Sequence, residues 1–186
     1  VWKPDVTVAA VVERDGKFLF VEERASGRVV LNQPAGHLER DETLLHAVAR
    51  ETLEETGWTF VPRDIVGIYL WQPEHLAKTF LRVAFSGQLE GHDPSRPLDH
   101  GILRTRWLDR EQLLGAQARL RSPLVLQCVE DYLAGARFPL TVLLVRARAC
   151  WREGPAAGIV ALQRRDLNPD MGLDTYSAGH QHRPVI

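Results

Sequence analysis

Three glutamates, Glu51, Glu54 and Glu55, crowd the end of the stretch Leu44 to Thr56, and this crowding constrains the chain more than any other feature. Leu45, Val48, Ala49, Thr52 and Thr56 recur at helical intervals, which predicts an amphipathic helix with those residues as its apolar stripe. The three glutamates are expected on the opposite side. Glu51 and Glu55 form an i,i+4 pair of like charge, and Glu51 and Glu54 an i,i+3 pair, each costing an isolated helix about 0.2–0.5 kcal/mol. The carboxylates also sit at the C-terminal end of the helix, where the dipole disfavours negative charge. A solvated acidic face is the plain alternative, but such a face normally mixes in lysines. Between Leu44 and Trp58 there is no lysine, and the only arginine is Arg50. A divalent cation would turn the repulsion into attraction, and hard carboxylate oxygens suit Mg²⁺ or Mn²⁺.

The flanks define the segment further. Asp41 or Thr43 can cap the start of the helix, and Gly57 is a natural left-handed stop. Ahead of it, "NQPAGH" reads as a tight loop in which Pro34, Ala35 and Gly36 let the backbone approach a metal or ligand closely.

Gly36, Glu42, Arg50, Glu51, Glu54, Glu55 and Gly57 stand at the spacing of the Nudix box. Thr52, where an aliphatic residue is usual, is a mild departure; Trp58 fills the last apolar position. The chain therefore resembles the Nudix hydrolases. The segments "KPDVTVAAVV", "NQPAGHLE", "LRSPLV" and "RFPL" extend the resemblance across Trp2 to Leu140, to a phosphatase branch that releases phosphate from organic pyrophosphates. The resemblance implies an α/β/α sandwich with a mixed sheet and dependence on Mg²⁺, with Mn²⁺ as a substitute. It assigns Glu51, Glu54, Glu55 and the carbonyl of Gly36 as metal ligands. Arg50 is expected to orient a glutamate rather than touch substrate, with Glu42 as its structural partner. Glu51 is the first choice for general base. Asp99, in a later loop, is the outside candidate, and an ordinary loop aspartate is the other reading of it. The substrates implied are nucleoside tri- and diphosphates and small organic pyrophosphates, among them hydroxymethylpyrimidine pyrophosphate and thiamine pyrophosphate.

Outside the box the signals are weaker. Phe80 and Arg82 alternate onto one face of an expected strand. They would stack on a ring and grip a phosphate, or else be core and surface charge; both readings stand. Gln33 and Asn32 adjoin the glycine segment and are further substrate-binding candidates. Trp58 and Trp71 read as packing, and His37 and His100 as bystanders.

The rest of the chain sets limits. Val6–Glu13, Lys17–Glu23, Arg28–Leu31, Ile65–Trp71, Thr79–Gln88 and Leu103–Leu108 read as strands, with an Asp15–Gly16 hairpin turn. A short helix is expected from Arg110, and another after Ser122–Pro123, ended by Gly135. Periodicity alone gives only a mixed α/β class. With 186 residues, a Nudix domain over 1–145 is expected, with 146–186 as a C-terminal extension of unknown role. A formal net charge of −1 makes no electrostatic case for a nucleic-acid polymer or a membrane surface. The apolar runs are too short to cross a bilayer, and Cys128 and Cys150 show no metal spacing. No signal-peptide pattern is evident, so a cytoplasmic monomer or homodimer acting on a small-molecule pyrophosphate is expected.

Two further functions stay open within this reading. Pro73 lies close to where ADP-ribose pyrophosphatases often carry a proline. A non-catalytic Nudix binding domain is the other; that class tends to lose box glutamates, which this chain keeps.

Overall fold

The run "DVTVAAV" ends in four apolar residues without polar alternation, which suits a strand buried on both faces there. In the computed structural model, which describes residues 2–74 and 76–143, it forms β1 (Asp5–Val11) at the centre of the molecule. Val8 and Ala10 pack on one side with Leu45, Val48 and Phe85. Ala9 and Val11 pack on the other with Val125, Cys128 and Val129. The period of two therefore splits one strand between two cores.

The hairpin follows from the next residues. β2 (Glu13–Arg14) and β3 (Lys17–Ala25) are joined by Asp15 and Gly16, with φ of 52° and 74°, the left-handed pair that a tight two-residue hairpin requires. Ser26 and Gly27 repeat the device, at 49° and 77°, and lead into β4 (Arg28–Asn32). The chain continues through β5 (Ala35–His37), α1 (Leu44–Thr56), β6 (Trp58–Trp71), β7 (Phe80–His92), β8 (Ile102–Leu108), α2 (Arg110–Gly115), α3 (Pro123–Leu133) and β9 (Phe138–Pro139).

Two sheets result. The mixed sheet runs β5-β1-β7-β6-β9, with β1 parallel to β7 and the other pairs antiparallel. The second sheet is antiparallel, with β3 pairing β2, β4 and β8. The expected mixed sheet flanked by helices is present, and the fold is mixed α/β. Ser122 occupies the N-cap position of α3 with Pro123 behind it, but its hydroxyl caps no backbone N–H. The segment 146–186, with Cys150, lies outside the described residues.

A buried carboxylate locks the second sheet. Glu22 on β3 is 3% exposed. It accepts from Arg104 at 2.6 Å, Arg119 at 3.0 Å and Arg106 at 3.3 Å, joining β3, β8 and the turn before α3. The hydrogen bond from Arg104, against the opposing effect of burial and with help from Arg119, holds its carboxyl below the usual range. A depressed folded pKa contributes stability above the unfolded value of about 4.3, lost as pH falls through the folded value. Glu22→Gln is expected to destabilise by about 1–3 kcal/mol at pH 7, less than a fully buried pair because the arginines are partly solvated. Urea melts at pH 7 and pH 3 check this, and the gap between the proteins should narrow at the lower pH.

Candidate active site

Helix α1 is fixed at both ends. Thr43, not Asp41, is the N-cap, its Oγ1 accepting from the N–H of His46 at 3.1 Å. Asp41 instead turns the preceding loop at φ 63°. Gly57 closes the helix at φ 71°. Thr52, the departure from an aliphatic residue, is fully buried. Its hydroxyl is satisfied by donating to the carbonyl of Val48 at 2.7 Å.

The glutamates do not lie opposite the packed face. Glu51 and Glu55 are buried, at 8% and 6% exposed, beside Val48 and Thr52, while Glu54 is only partly covered. Ala49, expected in the stripe, is half-buried, and Ala47 takes its place in the core. The reason is β5. Its backbone lies along the helix and covers the carboxylates with peptide groups, so the plain alternative of a solvated acidic face does not hold for Glu51 and Glu55.

β5 is itself a correction. "PAG" is not a tight loop. Ala35 to His37 is a strand paired with β1, with Gly36 opposite Val8. Gly36 is needed for closeness: a Cβ there would fall on the carboxylate carbon of Glu51. The N–H of Ala35 donates to Glu55 Oε2 at 2.9 Å.

Arg50 organises the other side. Its Nε and Nη2 donate to the two oxygens of Glu42 at 2.8 and 2.9 Å. Nη1 donates to Glu51 Oε1 at 2.8 Å and Glu54 Oε2 at 3.1 Å, and Nη2 reaches the carbonyl of His37 at 3.1 Å. The bond to Glu42 pushes the guanidinium pKa up. Burial works against ionisation of Glu42, yet the bond from Arg50 leaves its carboxyl below the usual range. Burial dominates at Glu51 and raises it in spite of Arg50. At Glu55, burial with Glu23, Glu51 and Asp99 nearby raises the carboxyl to about 8. Asp99 is tied to the helix end, its N–H donating to the carbonyl of Glu54 at 2.9 Å.

Among the described residues, no three His, Cys, Asp or Glu side chains converge as they stand. Arg50 spans Glu51 and Glu54, and Glu55 faces Ala35. The donor chemistry still fits a hard cation: several carboxylates, one of them under a glycine backbone, share a single arginine.

The substrate candidates lie next door. A cleft of about 1110 Å³ is bounded by Ala35 and Gly36 at one end, Phe80 and Trp71 at another, and Ser122 and Leu126 of the α3 region. Arg82 lines it and is buried, so the surface-charge reading of it does not hold. Gln33 is buried beneath, joined to Arg82 Nη1 at 3.3 Å. Asn32 lines the cleft and meets Arg82 Nη2 at 3.4 Å. Trp71, expected as packing, stacks on Phe80 at 5.7 Å. Trp58 stacks on His92 and does not line the cleft. His37 lines the mouth through an exposed side chain, and His100 is exposed, donating its N–H to Asp99 Oδ1. Sequence reasoning missed Glu23 and Arg121 on the cleft wall; charged residues on a strand and in a turn carried no signal for it.

Comparison with known proteins follows the same lines. A family model described as "NUDIX domain" matches residues 3–127. Phosphatase NudJ of Escherichia coli strain K12 is 46% identical over 143 residues, covering 76% of this chain and 92% of that protein. A solved NUDIX hydrolase from Nitrosomonas europaea is 49% identical with a TM-score of 0.77, covering 79% of this chain and 100% of its own. The MutT protein from Methanosarcina mazei Go1 is 25% identical with a TM-score of 0.59, covering 74% of this chain and 99% of its own.

Proposed function

The chain belongs to the Nudix hydrolase family and is a hydrolase, and from that premise we propose that it is a Mg²⁺-dependent phosphohydrolase releasing inorganic phosphate. Its substrates are nucleoside tri- and diphosphates and small organic pyrophosphates, with hydroxymethylpyrimidine pyrophosphate and thiamine pyrophosphate in range. The observation that carries the reading is the acidic centre under Gly36 at one end of a cleft large enough for the organic half of such a molecule. The resemblance to Phosphatase NudJ, over nearly all of that protein, supports phosphate as the product.

Glu51, Glu54, Glu55 and the Gly36 carbonyl are the residues that would hold the metal. A divalent cation there would neutralise phosphate charge and lower the pKa of a bound water. Arg50 positions Glu51 and Glu54, and Glu42 positions Arg50. Glu51 bonds Arg50 through Oε1, and Oε2 makes no such bond; it is assigned to take the proton of the attacking water. Asp99, tied to the end of α1, is the alternative base. Phe80, Arg82 and Gln33 are assigned to the organic half.

The hydrolase unit is placed in residues 1–145, with 146–186 as an extension, and the chain as a cytoplasmic monomer or homodimer. Among the described residues no helix is long and apolar enough to cross a membrane.

A nucleoside triphosphate turned over in ¹⁸O-water tests the product. Attack at the terminal phosphorus puts the label in inorganic phosphate and lets the diphosphate accumulate first. Label in pyrophosphate or in the monophosphate, with no diphosphate, would overturn the assignment while leaving the family intact. Pro73 lines the cleft, which keeps an ADP-ribose pyrophosphatase as the second reading. Its mark is AMP released from ADP-ribose faster than phosphate from any nucleotide.

A further inference from the structure

Arg82 stands on β7, two residues from Phe80 and on the same face of the strand. It is 7% exposed and lines the cleft. Among the described residues no carboxylate pairs with it directly. Its bonds go to the Cys128 thiol and to the neutral oxygens of Gln33 and Asn32 at 3.3 and 3.4 Å, the latter two long for charge-assisted bonds, which run about 2.7–2.9 Å. Such a guanidinium is under-used, because a buried charge needs strong acceptors to offset its lost hydration.

The surroundings decide what would improve on those bonds. The Gln33 amide nitrogen donates to the carbonyl of Val125 at 2.7 Å. That of Asn32 donates to Glu23 Oε1 at 3.2 Å. Both amide oxygens are thereby turned towards Arg82. Arg82 carries five N–H groups, more than Gln33, Asn32 and Cys128 use. The floor of the cleft offers donors, so it suits a ligand that offers acceptors. Glu23 stands one hydrogen bond behind Asn32 and also faces Arg121 at 3.8 Å, so it offsets the guanidinium's charge only in part and bonds none of its N–H groups. Above the floor, the stacked Phe80 and Trp71 provide an aromatic wall.

We propose that Arg82 is the specificity-determining residue for the organic half of the substrate, donating hydrogen bonds to a ring nitrogen or carbonyl on the edge of a planar heteroaromatic group stacked at Phe80. The inference rests on the phosphohydrolase reading for its orientation, since the pyrophosphate then lies at the Gly36 end.

Cytidine and adenosine, which carry rings with acceptor edges and no phosphate, separate the two. Their binding to the full chain is measured by ligand-observed NMR with EDTA present. The wild type should bind at least one of them, and Arg82→Met should weaken that binding at least fivefold. Methionine keeps the unbranched stem and removes the guanidinium, leaving the Gln33 and Asn32 oxygens without that donor, which costs some stability; a thermal melt checks that the variant folds. Should Arg82→Met fail to fold, Arg82→Lys keeps the charge with fewer donors and should weaken binding at least twofold. In turnover of cytidine diphosphate, Arg82→Met should raise KM more than it lowers kcat. It should also lower the preference for cytidine diphosphate over ring-free methyl diphosphate at least tenfold. No binding of either nucleoside by the wild type, or unchanged binding by the folded variant, overturns the proposal. Binding that depends on Arg82 in a protein that hydrolyses no pyrophosphate would uphold it and remove the phosphohydrolase reading instead.

Discussion

Glu54→Gln and Glu55→Gln should each lower kcat at least about a hundredfold, because stabilising charge at the reacting phosphoryl group supplies most of the catalysis in this chemistry. The fold should survive both changes. Glu54 is partly exposed, and its bond to Arg50 is one of several that hold the guanidinium. Glu55 is buried and accepts from Ala35, and the side-chain oxygen of glutamine can accept the same bond. Neutralising Glu54 removes like-charge repulsion on the helix, and Glu55, raised to about 8 by burial, carries little charge near neutral pH to begin with, so the melting temperature should hold or rise. EDTA should abolish turnover of the wild type without unfolding it. Phosphate-release kinetics alongside thermal melts make the test; a double variant working near the wild-type rate would rule out this carboxylate cluster as the catalytic centre.

Gly36→Ala should be nearly as damaging for a different reason. The new Cβ lands on the carboxylate carbon of Glu51. Either Glu51 swings away from Arg50, or β5 lifts from β1 at the Val8 pairing. Both move a carboxylate relative to the backbone carbonyl, and misplacement by about 1 Å can cost a hundredfold in rate. The expected loss in kcat is about 30–100-fold, with a stability loss of about 1–3 kcal/mol from overpacking. Gly115→Ala is the control: nothing lies within 4 Å of its added Cβ. It should leave both rate and melting temperature close to wild type. Equal behaviour of the two variants would show that the close approach at Gly36 is unimportant.

The helix, its Gly57 stop and the first hairpin were legible because each has a local cause. Turn residues with positive φ and a 3.6-residue period act within a few positions. The burial of Glu51 and Glu55 was not legible, because it depends on a strand that packs beside them from elsewhere in the chain. That strand was hidden too: Pro34, Ala35 and Gly36 have loop composition, and pairing with the edge of β1 makes Ala35 to His37 a strand. β6 begins straight after Gly57, yet its first half was missed. It carries Pro62 and Gly67, and its register with β7 shifts three times. Arg82 on a strand reads equally as surface charge; its burial comes from Gln33 and Asn32, which are near neighbours only in space.

The five residues Asn32 to Gly36 meet Arg82 at one end and, through Ala35 and Gly36, the carboxylates of α1 at the other. On the roles proposed above, selectivity and turnover share a single short piece of chain there. Phe80 and Trp71 stand apart from it, on the hairpin of β6 and β7. Inherited or engineered drift in substrate preference has a safe route through that hairpin, where one trait can change alone. Substitutions between Asn32 and Gly36 would drag the second trait along, and a library confined to those five positions should yield few variants that gain a new substrate and keep their speed.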